Sequence, residues 1–119
     1  MALTEFGKAV RMARIQTGDT LLTMAKALDV SSSFLSGLET GSKKIPREWV
    51  NKISMYLSGK GHPVTNLEEL ASISNDSVDL DGLSAQQKML VAGFAKSSFT
   101  KDQLTKFADL LEQMNSQGD

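Results

Sequence analysis

The sequence predicts an all-α protein, and three observations carry that expectation. Apolar residues recur at spacings of three and four along most of the 119 residues. Ser, Thr, Asn and Asp stand just ahead of those runs, where they can cap helices. Finally, the stretch Thr20 to Gly41, TLLTMAKALDVSSSFLSGLETG, holds two such apolar sets separated only by Asp29 to Ser31, which spells two short helices joined by a tight turn.

The totals limit what such a chain can be. A 12.9 kDa protein has room for one ordinary domain, or a small domain with an appendage, and not for an elaborate enzyme. Hydrophobic and charged fractions of 40% and 23% are those of a globular chain, so wholesale disorder is not expected. Cysteine is absent, which removes disulfides and thiolate metal sites. The opening residues MALTEFGKAVRMARI contain no unbroken apolar run, so neither a signal peptide nor a membrane span is expected, and a cytoplasmic location follows by default. The net charge of −1 conceals an asymmetry. Residues 1–63 carry nine Lys and Arg against five Asp and Glu, whereas residues 64–119 carry four against nine. A basic front half suits contact with phosphates and an acidic back half does not.

Helix 1 is predicted over Thr4 to Gln16, with Leu3, Phe6, Val10 and Ala13 on one face and Gly18 placed to end it. Asp19 or Thr20 can cap helix 2, which begins at Leu21 or Leu22 and presents Leu21, Met24, Ala25 and Leu28. Ser31 or Ser32 can cap helix 3, whose apolar set is Val30, Phe34, Leu35 and Leu38, and Gly41 can end it in the left-handed conformation. Helices this short are unstable alone, so each must lay its apolar face on a neighbour.

At this stretch a family resemblance becomes specific. Met24-Ala25, Val30-Ser31, Leu35-Ser36 and Leu38-Glu39-Thr40-Gly41 resemble the pattern LA...VS...IS..E.G of the XRE family, the Cro and lambda-repressor-like DNA-binding domains. The resemblance covers roughly residues 5–58, and it implies a five-helix helix-turn-helix domain that binds double-stranded DNA. It also implies that Arg14, late in helix 1, pairs with Glu39. A planar guanidinium can hold a carboxylate through two parallel hydrogen bonds, so the pair is read as a structural pin between helix 1 and the end of helix 3 rather than as a DNA contact. The family often carries a glutamine at the start of helix 2, used against the DNA backbone; Leu21 stands there instead.

By the same resemblance helix 3, Ser32 to Thr40, enters the major groove, and its base-contacting candidates are Ser32, Ser33, Phe34, Ser36 and Gly37. Serine pairs with several bases and discriminates weakly, so specificity is expected to lean on DNA shape or on residues outside helix 3. Phe34 suits either a thymine methyl or the core. Thr20, Lys43, Lys44 and Arg47 are the phosphate-contacting candidates, contributing affinity without sequence information.

Pro46 suits the first turn of helix 4, which runs to about Tyr56 or Ser58 with Trp49, Val50, Ile53 and Leu57 as its stripe, Trp49 in the core. Gly59 to Pro63 then breaks the chain. His62, the only histidine, has no cluster of Cys, Asp or Glu near it, and no metal site or cofactor is expected. Asn66 and Glu69 mark the start of a fifth helix, with Leu67, Leu70, Ala71 and Ile73 available for packing. The DNA-binding domain is thus placed at residues 1–74.

Residues 75–82 are polar and acidic and read as a linker, with Val78 and Leu80 able to form a brief extended segment. Over residues 83–119, Ser84 to Gln87 and Thr100 to Gln103 repeat a capping-box form, and Phe99 with Leu104 suits a hydrophobic staple, so a two-helix hairpin is expected. A hairpin of this size cannot bury a core alone. Its surface can be covered by its own N-terminal domain, by a toxin-like protein or by a second copy. Dimerisation is the economical assignment, because a twofold protein mirrors an inverted repeat in DNA. The residues assigned to it are Leu90, Phe94, Leu104, Phe107, Leu111 and Met114.

These readings converge on a homodimeric, sequence-specific DNA-binding transcriptional regulator, a repressor of the kind found in phages and mobile elements. The alternative is an antitoxin that autoregulates its operon and covers a toxin with the hairpin. An enzyme is disfavoured: there is no nucleotide loop, no metal-ligand cluster and no histidine-based nucleophile arrangement.

Overall fold

In the computed structural model, which describes residues 2–117, seven helices follow one another and no strand occurs among the described residues. They are α1 (Glu5–Thr17), α2 (Leu21–Ala27), α3 (Ser32–Thr40), α4 (Arg47–Gly59), α5 (Leu67–Asn75), α6 (Ala85–Lys96) and α7 (Lys101–Gln117). The chain divides into two units, Met1–Asp79 and Leu80–Asp119; residues 1, 118 and 119, at the outer ends of the two segments expected from the sequence, lie outside the described residues.

Local chemistry sets the boundaries of the first four helices. Thr4 caps α1 by accepting from the Gly7 amide at 3.0 Å, and Gly18 ends it at φ 79°. Thr20 caps α2 in a reciprocal capping box with Thr23, and Ser31 caps α3 through the Phe34 amide at 3.0 Å. Gly41 closes α3 at φ 83°. Pro46 sits one residue ahead of α4, supplying a fixed φ of −67° at the cap and no side-chain bond. Asn66 takes the cap position of α5 but makes no side-chain cap bond there, contrary to the expectation from Asn66 and Glu69.

The core of the first unit gathers one face of each of α1 to α5. Phe6, Val10, Met24, Leu35, Leu38, Ile53 and Leu57 are its largest fully buried side chains, and Leu67 and Ala71 close it from α5. The helical spacing read from α1, α2 and α3 therefore faces inward; truncating any one of these leucines to alanine is worth roughly 2–5 kcal/mol. One expectation fails at the margin of this core: Ile73 is exposed. Trp49 is half-buried and packs against the core.

Two polar devices hold loops and helix ends to that core. The Asn75 side chain, at the end of α5, pairs with the Ile45 backbone, accepting from its amide at 2.9 Å and donating to its carbonyl at 3.0 Å. The segment between α3 and α4 is thereby fixed to α5. At the other side, Asp19 accepts from Thr17 at 2.9 Å and from Thr23, and lies 3.6 Å from the Lys60 ammonium, which also stands over the Tyr56 ring. This cluster joins the end of α4 to the turn between α1 and α2.

The second unit contains α6 and α7. Ser84 caps α6 through the Gln87 amide at 3.1 Å, and Thr100 and Gln103 complete a reciprocal capping box at α7. Phe94, Phe99 and Phe107 form a three-ring cluster with centroids 4.8–5.2 Å apart, which joins the two helices near the turn. No described residue of this unit is fully buried. No described helix is long and apolar enough to cross a membrane.

Candidate nucleic-acid interface

The α2–α3 pair is held from behind. Arg14 and Glu39 are both buried, and the guanidinium meets the carboxylate through two bonds, Nη1 to Oε2 and Nη2 to Oε1, the second at 3.2 Å. Nη1 also lies 3.9 Å from the Met24 sulfur, so all three helices meet at this ion pair. The Glu39 carbonyl accepts from both the Thr4 amide (3.0 Å) and the Thr4 hydroxyl (2.9 Å). With side chain and backbone both committed to α1, Glu39 is a structural residue that fixes where the end of α3 lies.

Along α3 lies an open depression of about 420 Å³, bounded by Leu21, Ser32, Ser33, Ser36, Gly37, Thr40 and Ser42. Ser33 is exposed and Ser32 and Ser36 are half-buried, so the three serines named from the sequence share this surface. Every polar side chain on its rim is a hydroxyl, which donates or accepts as the neighbouring group requires. Leu21, Thr40 and Ser42 were not among the candidates. Leu21 reaches the rim because Thr20 caps α2 immediately before it; Ser42 does so because the turn after Gly41 folds back, its neighbour Lys43 donating its amide to the Gly37 carbonyl at 3.2 Å. A hydroxyl directly after a glycine helix stop was the available signal for Ser42.

Three of the expected contacts are constrained by their neighbours. Gly37 borders the depression but is itself buried: a Cβ there would lie 3.1 Å from Lys43 Cδ and 3.2 Å from Ser42 Oγ, because the same turn lies over it. Phe34 does not stand free for a thymine methyl. It packs edge-on against Trp49 at 4.9 Å, with the Lys43 ammonium over its ring at 4.9 Å, since an aromatic pair covers more apolar area than either ring alone. Arg47 is exposed but its guanidinium is engaged by Asp79 at 2.6 Å, so it is not an uncommitted phosphate donor.

Thr20 is exposed, though its hydroxyl oxygen serves the α2 cap. Lys43 and Lys44 are exposed on the loop after α3, and neither is in an ion pair among the described residues. Lys8, Lys52 and Lys60, by contrast, each have a carboxylate within 4 Å. Lys43, whose ammonium stands over the Phe34 ring, and Lys44 thus have no carboxylate within 4 Å, and the same holds of Arg11 and Lys26. Among the described residues no group of three or more His, Cys, Asp or Glu side chains is placed to hold a metal ion.

Comparison of the chain with family models, with curated proteins and with solved structures gives no match in any of the three.

Proposed function

We propose that this protein is a sequence-specific regulator of transcription that binds double-stranded DNA as a homodimer and represses by occupying promoters, without enzymatic activity. In this reading α1 to α5 form a lambda-repressor-like domain, α3 lies in the major groove with its N-terminal serines toward base edges, and the hairpin pairs two copies over an inverted repeat.

One observation carries the reading: the exposed face of α3, with Ser32, Ser33 and Ser36 around an open depression, lies next to Lys43 and Lys44 of the following loop. Hydroxyls without a charged partner suit base edges, and flanking ammonium groups suit the phosphates on either side. The buried Arg14–Glu39 pair keeps that face rigid, so that little ordering cost falls on binding. Serine alone reads bases weakly, and DNA shape supplies part of the specificity.

Binding-site selection from random DNA tests this. The expected result is an enriched inverted repeat with half-sites about one helical turn apart or a multiple of it. No enrichment, together with no salt-dependent retention of any duplex, overturns the reading.

A further inference from the structure

Two open depressions adjoin along α3. Beside the one bounded by Ser32, Ser33 and Gly37 lies a second, of about 670 Å³, which opens toward α1 and is lined there by Leu3, Arg11 and Ile15. The two share Leu21, Ser36 and Thr40, and Ser36 and Thr40 stand one turn apart on α3. The line from Ser36 to Thr40 therefore has a depression on each flank. Gly37, with the Lys43 stem against it, borders only the first, and Arg11 borders only the second.

Four ionisable side chains line the second depression among the described residues: Arg11, Arg14, Asp19 and Glu39. Three of them are committed. Arg14 and Glu39 hold each other and are buried. Asp19 accepts from Thr17 and Thr23 and faces the Lys60 ammonium at 3.6 Å, with its side chain 10% exposed. Arg11 is exposed and has no carboxylate within 4 Å. The apolar side chains around it cannot donate a hydrogen bond, so the charge this depression offers a ligand is the Arg11 guanidinium.

We infer that Arg11 is a phosphate contact on the α1 flank of α3, holding the DNA strand across the groove from the one beside Lys43. The inference deepens the proposed function, since it rests on the reading of α3 as the helix that enters the major groove. That groove is about 12 Å wide and has a phosphate strand on each side. Cations on one flank alone would anchor one strand and leave the helix free to roll; cations on both flanks fix its angle to the base edges. A planar guanidinium suits two phosphate oxygens at once. The depression is also continuous with the hydroxyl-lined surface through Ser36 and Thr40, so one duplex can reach both.

The test uses the full-length protein and a selected duplex, with filter binding from about 50 to 300 mM salt. Arg11→Gln should flatten the slope of log affinity against log salt by about 0.9, and Arg11→Lys, which keeps the charge, should preserve it. Melting followed by circular dichroism should be unchanged in both, because the side chain is exposed. An unchanged slope in Arg11→Gln overturns the inference.

Single neutral methylphosphonates placed along the duplex backbone give a second readout that needs no variant to begin. With wild type, costly positions are expected on both sides of the groove. Arg11→Gln should lose sensitivity at a position on one side, and Lys43→Ala at a position on the other. Costly positions confined to one side, or loss of the same position in both variants, overturn the inference. A wild type that no duplex retains removes the DNA-binding reading and this inference together, whereas wild-type binding with an Arg11→Gln slope unchanged removes this inference alone.

Discussion

The Cβ that Gly7 lacks would lie 2.1 Å from the carbonyl oxygen of Glu39. The same carbonyl accepts two bonds from Thr4, so the first turn of α1 is seated directly on the last turn of α3. Only a residue without a side chain permits that approach.

Gly7→Ala therefore tests the seat. Alanine raises intrinsic helix propensity by about 1 kcal/mol, and a surface helix would gain stability. Here the obstructing atom is backbone, which cannot turn aside, and the clash dominates: a net loss of about 2–3 kcal/mol is expected. Urea denaturation reads it as a lower midpoint at unchanged slope. Stability equal to or above wild type would contradict the geometry.

Charge reversal at Glu39 addresses the ion pair. Glu39→Lys places two cations in a buried site and should prevent the first unit from folding, whereas Glu39→Gln, which leaves Arg14 buried without its charge partner, should cost about 3–5 kcal/mol. Thermal unfolding followed by circular dichroism distinguishes them. A Glu39→Lys protein as stable as wild type sinks the structural assignment of this pair.

The Asp19 cluster makes a pH prediction. The Thr17 hydroxyl holds the Asp19 carboxyl below its ordinary value, and Tyr56, Lys60 and Thr23 push the same way against its desolvation. A carboxyl depressed in the folded state contributes stability that is fully present above its unfolded value near pH 3.9 and is lost as pH falls through its folded value. Tyr56 is raised, first by burial and then by Asp19, so its contribution is present below about pH 10 and is lost as pH rises through the folded value. Melting temperatures of wild type and Asp19→Asn should therefore converge on acidification below about pH 4. A difference that stays constant from neutral pH down to about pH 2.5 would exclude this linkage.

Periodicity makes the inward faces of α1 to α3 readable, because a buried stripe is written in the identity of its own residues: Phe6, Val10, Met24, Leu35 and Leu38 need no partner to be recognised. What escapes are features created when distant segments meet. Nothing local marks Gly7 until the Glu39 carbonyl lies against it, and Asn75, read as the start of a linker, gains its role only when Ile45 presents its backbone. Gly37 and Phe34 are constrained for a related reason: the turn at Ser42 and Lys43 returns over the one and lays an ammonium over the ring of the other. Charge alone assigns Arg47 to phosphate, and nothing local announces that Asp79, 32 residues on, reaches it.

The Arg47–Asp79 ion pair bears most directly on the proposed DNA binding. Removing one phosphate contact lowers the slope of log affinity against log salt by about 0.9. Alanine at both Lys43 and Lys44, the cations beside α3, should therefore flatten the slope by roughly 2 and weaken binding to all duplexes alike. Arg47→Ala should change it little, because Asp79 already holds the guanidinium at 2.6 Å and a phosphate must displace that carboxylate. Asp79→Ala then becomes the informative variant. If the ion pair restrains Arg47, removing the carboxylate releases a cation and steepens the slope by up to about one contact, and the gain disappears in the Asp79→Ala, Arg47→Ala double variant. Filter binding from about 50 to 300 mM salt on a selected site measures all four proteins. An unchanged slope in the Lys43, Lys44 variant would remove these lysines from the interface, and a steep dependence on Arg47 in the wild type would show that Asp79 yields to phosphate at no cost.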